Sequence, residues 1–120
     1  MFNFTDNKKL DKLYQEHDWN GIVGIAERHF KDDTTNIKVL NDLAVAYKKI
    51  GRDNDAFLVC QKIYENYPIS DILKESINVG IRHMRYHLVM GELLYLRGDY
   101  EEALHILNQL KLIGSHFSDK

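Results

Sequence analysis

Cysteine, proline and net charge are all scarce in this chain, and each scarcity removes a class of structure. Cys60 is the one cysteine among 120 residues, so no internal disulfide can form and a reducing compartment suits the chain. The cytoplasm is the expected location. One proline, Pro68, sets the sequence apart from collagen-like and disordered chains. Lysine and arginine total 16 against 18 acidic residues, and a formal charge of -2 supplies no global field for nucleic acid or an anionic membrane. No apolar run nears the roughly 20 residues of a membrane span. The opening MFNFTDNKKLDKLYQ lacks the apolar core and small-residue cleavage site of a secretory signal.

What is present describes one ordinary folded domain, 1–120, with 44% hydrophobic and 28% charged residues. Its central segment, IKVLNDLAVAYKKIGRDNDAFLVCQKIYENYPIS from Ile37, places apolar or small residues at Leu40, Leu43, Ala44, Tyr47, Ala56, Cys60 and Ile63. That spacing predicts two amphipathic helices, a turn at Gly51-Arg52-Asp53 and a stop at Pro68. Ala44 and Ala56 let two antiparallel backbones approach, and Leu43, Tyr47, Cys60 and Ile63 fill the seam. Gly51 is expected in a left-handed conformation just past the first helix.

The segment resembles a tetratricopeptide repeat, whose pattern is W-x2-L-G-x2-Y, then A-x3-F, then P over about 34 residues. Leu43, Tyr47, Ala56 and Pro68 match as written, while Leu40, Ala44 and Cys60 stand for the tryptophan, glycine and phenylalanine. A second unit spans 84–117, carrying Gly91, Leu94, Gly98, Asp99, Tyr100, Ala103, Leu107 and Leu110, with GDYEEAL its most characteristic stretch. Glu101 and Glu102 fall in the first turn of its second helix, where the helix dipole favours negative charge. A degenerate unit, 3–36, precedes the central one, with Leu10, Leu13, Trp19, Ile22 and Ala26 at repeat positions and His17 in place of the turn glycine. The resemblance thus implies an all-α fold, an α-solenoid of about three helix-turn-helix units (3–36, 37–70, 84–117).

Between the last two units lies the insertion 71–83, DILKESINVGIRH. Two structures fit it: one helix from near Ser70 to about Arg97, or a separate short helix ending around Gly80. The single long helix is favoured, because an isolated glycine costs a helix only about 1 kcal/mol. After Leu112 only IGSHFSDK remains, too short for a capping helix, so something else must cover that edge. Self-association, a longer parent repeat protein, or folding back of the insertion would each do so.

Chemistry is sparse. His83 and His87, four residues apart, share a helix face, yet a third metal ligand and the HExxH arrangement are missing, so they are read as surface residues and no metal or cofactor is expected. Cys60 occupies a core position and behaves as a small hydrophobe. With no GxSxG, P-loop or GxGxxG, the chain is read as a non-enzyme. Lys74, Arg82, His83, Arg85 and His87 form a local basic cluster, read first as a solvated face and second as a site for acidic peptide, with nucleic acid not expected.

In a solenoid the first helix of each pair lines the concave side. The resemblance therefore implies recognition residues at Asn7, Asp11 and Tyr14, at Asn41, Asp42, Val45, Lys48 and Lys49, and at Arg85, Leu88, Val89, Glu92 and Tyr95. Relatives that clamp a carboxylate use lysines and asparagines where this chain has Asn41 and Val45, so it departs from that group. Leu88, Val89, Tyr95 and Leu96 make an apolar stripe for a helix or extended peptide. The implied function is a scaffold or adaptor binding a peptide or partner protein, with homo-oligomerisation open. The alternatives are a small chaperone for a secreted client and a regulatory module using the Arg82 to His87 cluster.

Overall fold

A computed structural model describes residues 4–118 and is all-helical among them. Helices α1 (Phe4–Gln15) and α2 (Trp19–Lys31) form one antiparallel pair, and α3 (Ile37–Lys49) and α4 (Asp53–Asn66) a second. A four-residue helix, α5 (Ile69–Ile72), leads to the third pair, α6 (Ile77–Leu96) and α7 (Tyr100–Ser118). Each pair receives the first helix of the next: α3 packs on α1 and α2, and α6 packs on α3 and α4.

The three pairs turn alike. His17, Gly51 and Gly98 all have left-handed backbone, with φ of 56°, 83° and 84°. In each turn the N–H of that residue donates to the carbonyl three back, and the following N–H donates to the carbonyl five back. Those bonds satisfy carbonyls that the ending helix leaves unpaired. His17 bears the left-handed strain a glycine would avoid, and its ring stacks on Trp19 at 5.2 Å. Asp18 then caps α2, its carboxylate accepting from Gly21 N–H at 3.0 Å.

Small residues set the spacing, as the sequence pattern implies. Ala26, Ala44 and Ala56 are fully buried, and Ile22, Leu40, Leu43, Val59 and Ile63 close around them without exposed surface. Cys60 lies in the same core, where burial pushes its thiol pKa far up. Ten consecutive residues of α3, Lys38 to Tyr47, are buried, because this helix is covered by α1, α2, α4 and α6.

The expected continuous helix from Ser70 to Arg97 does not form, and neither does a short helix ending at Gly80. The chain breaks at 73–76 instead. The Ser76 hydroxyl accepts from Val79 N–H at 3.4 Å and starts α6 at Ile77. The break turns Ile72 into a small second core with Ile113 and Phe117, where it is 1% exposed. Gly80 sits inside α6 because the Phe117 ring lies across it: a Cβ there would be 2.3 Å from that ring. The C-terminal residues, rather than ending short, lengthen α7 to Ser118 and pair with the start of α6.

Candidate functional site

Helices α1, α3 and α6 line one side of the molecule, and a groove of about 340 Å³ runs between them. Its walls are Tyr14 from α1, Val45, Lys48 and Lys49 from α3, and Arg85, Leu88, Val89 and Glu92 from α6. All eight are among the positions singled out from the sequence. Five others, Asn7, Asp11, Asn41, Asp42 and Tyr95, are not in the walls. Asn41 and Asp42 are buried at 0% and 4% exposure, and Tyr95 is exposed farther along α6, its ring 5.3 Å from Tyr100. For Asn41 and Asp42 the reason is packing: with α1, α2, α4 and α6 around α3, few of its residues remain open to a ligand.

Below the groove, polar groups are held in place. Asn41 donates through Nδ2 to Asp42 Oδ1 at 3.3 Å. Burial raises the Asp42 carboxyl pKa, and the nearby Lys38 ammonium opposes that rise. Lys38, itself nearly buried, has its pKa lowered by burial and donates from Nζ to Asp11 Oδ1. An acid and a base are thus kept near one another under low dielectric, and the Lys38–Asp11 hydrogen bond ties α3 to α1.

At the rim the charges are mostly positive. The Arg85 guanidinium sits 4.9 Å from the Tyr14 ring centroid, and the Lys49 ammonium 5.9 Å from the Trp19 ring. Such cation–π contacts hold long side chains without neutralising them, so their charge still faces the groove. Lys48, Lys49 and Arg85 stand against Glu92 alone in the walls. Tyr14, Val45, Leu88 and Val89 supply the apolar part.

The basic cluster read from Lys74 to His87 is split by the fold. His83 and His87 are buried at 0% and 1% exposure, not on a surface, while Arg82 and Arg85 stay accessible. Burial, joined by the nearby His87, lowers the His83 pKa from 6.5 to about 4. The His83 ring packs 5.0 Å from Tyr67 and 5.5 Å from Tyr86. His87 bonds through Nδ1 to the His83 carbonyl at 2.7 Å and through Nε2 to Gln109 Oε1 at 3.3 Å. No group of three metal-ligating side chains occurs among the described residues.

The buried histidines were detectable in principle. Positions 83, 86, 87, 90 and 94 share one helical strip with clearly apolar members, and that phase marks both histidines as interior against their residue type. No helix among the described residues is long and apolar enough to cross a membrane. No protein family, no curated protein and no solved structure matches the chain.

Proposed function

We propose that the chain is a non-enzymatic protein-interaction module of the tetratricopeptide-repeat type, a scaffold or adaptor whose concave groove holds a segment of a partner protein. Supporting the repeat assignment are the three helical pairs and their left-handed turn residues, of which His17 and Gly51 lie one 34-residue period apart. The observation that carries the functional reading is the groove itself. Eight residues from three helices that are distant in sequence converge on one concave surface.

Its chemistry favours one class of ligand. A volume of about 340 Å³ accepts a few side chains of a peptide rather than a folded domain. Val45, Leu88, Val89 and the Tyr14 ring would take an apolar side chain, and Lys48, Lys49 and Arg85 would pair with an acidic neighbour. Apolar burial then supplies most of the affinity, and the exposed charges supply steering and selection. Nucleic acid fits less well, since two members of the basic cluster are buried.

Selection from a random peptide display library tests this reading. Enriched sequences should place Asp or Glu beside Leu, Ile or Phe, and the double variant Lys48→Glu, Arg85→Glu should lose at least tenfold in affinity. Selected peptides without acidic enrichment, or full binding by that variant, would sink the proposal.

A further inference from the structure

A second surface lies at the end of the helical stack and meets the groove at Leu88, which belongs to both. Helix α6 presents Ile81, Leu88 and Tyr95 there, and α7 presents Tyr100, Leu104 and Leu107, at exposures of 38% to 63%. Spacings of three, four and seven keep each set on one strip of its helix. Contacts between the helices put the strips side by side. The Tyr95 and Tyr100 rings are 5.3 Å apart, and Leu107 lies over Gly91, 2.8 Å from where a Cβ would be. The α1/α2 pair is covered by α3 and the α3/α4 pair by α6, whereas no described helix covers this face of α6 and α7.

We propose that this face binds the same face of a second copy, forming a two-fold symmetric homodimer with α7 antiparallel to α7. Half-exposed side chains of this size show on the order of 100 Å² each, so the six present about 600 Å² of apolar surface. That equals the largest patch of a typical monomer and supplies most of the roughly 800 Å² per partner in a standard interface. Charge sets the direction. Glu101 and Glu102 lie in the first turn of α7, and Lys111 lies three turns later on the Leu104 strip. Antiparallel pairing places Lys111 of each copy near Tyr100 and Glu101 of the other and sets Leu104 against Leu107. A two-fold interface needs such self-complementarity. Parallel pairing would put like charges together. A formal charge of -2 per chain adds little repulsion between copies.

Light scattering across a dilution series, about 1 to 500 μM, covers the range in which an interface of this size associates. The mass should rise from 14.1 kDa towards twice that value. Leu104→Glu should hold the mass at the lower value with helix content unchanged. Lys111→Glu, at an exposed position, should weaken the dimer at least tenfold and keeps the test valid where Leu104→Glu fails to fold. Lys48→Glu, in the groove, should leave the dimer intact. A monomer at every concentration overturns the proposal, as does a dimer that survives Leu104→Glu or Lys111→Glu. Peptide binding measured on monomeric Leu104→Glu reads the groove independently.

Discussion

Replacing Gly80 with alanine sets two effects of opposite sign against each other. Alanine in the interior of α6 should stabilise the helix by about 1 kcal/mol, because glycine loses more backbone freedom on folding. The new Cβ, however, would lie 2.3, 2.6 and 2.7 Å from three carbons of the Phe117 ring. Carbon atoms normally sit about 3.5 to 4.0 Å apart, so the ring must retreat by more than 1 Å. Phe117 is 6% exposed and packs on Ile72 and Ile113, and displacing a ring of this kind costs about 2 to 3 kcal/mol. Packing therefore wins, and Gly80→Ala should destabilise the protein by about 1 to 2 kcal/mol. Once Phe117→Ala removes the ring, the same substitution should stabilise by up to about 1 kcal/mol. The coupling across the cycle is then about 2 to 3 kcal/mol. Urea unfolding followed by far-UV circular dichroism on the four proteins measures it. Gly80→Ala raising stability in the otherwise native chain would refute the reasoning, and so would an unchanged effect without Phe117.

Acidification offers a second measurement. His83 has a folded pKa of about 4 against an ordinary 6.5, so its contribution is fully present above pH 6.5 and is lost as the pH falls towards 4. The loss is about 3 kcal/mol over that window, and His87, lowered mainly by burial, adds in the same direction. The variant His83→Leu should flatten this part of the stability profile, and a slope equal to that of the native chain would count against burial as the cause. Two exposed glycines should respond in opposite directions to alanine. At Gly24, inside α2 with no neighbour near its Cβ position, alanine should stabilise by about 1 kcal/mol. At Gly51, with φ of 83°, it should destabilise by about 1 to 2 kcal/mol, and equal shifts at the two sites in thermal unfolding would contradict the left-handed turn. Cys60 should resist thiol reagents at neutral pH until urea unfolds the chain, and rapid labelling of the native protein would show that its seam opens.

Much of the groove could be read from sequence because the relevant information is local. A residue's phase on its own helix depends only on spacing, so the repeat positions that the resemblance singles out on three helices, Tyr14, Val45, Lys48, Lys49, Arg85, Leu88, Val89 and Glu92, can fall on one groove. Failures came where neighbours decide. Asn41 and Asp42 share the phase of groove residues, yet they are buried because α3 is enclosed by four helices. His83 and His87 look like surface histidines by type, and only their packing against Tyr67, Tyr64 and Tyr86 makes them interior ones.

By itself, the chain order determined the helices and the turns between them, since the amphipathic period and the left-handed residues at 51 and 98 are properties of short segments. Where the insertion breaks was a tertiary outcome. Ser76 can cap a helix in either arrangement, but the second core of Ile72, Ile113 and Phe117 requires residues from both ends of the last pair to meet. That meeting buries apolar surface which neither segment can hide alone, and it leaves the outward strip of α6 and α7 uncovered.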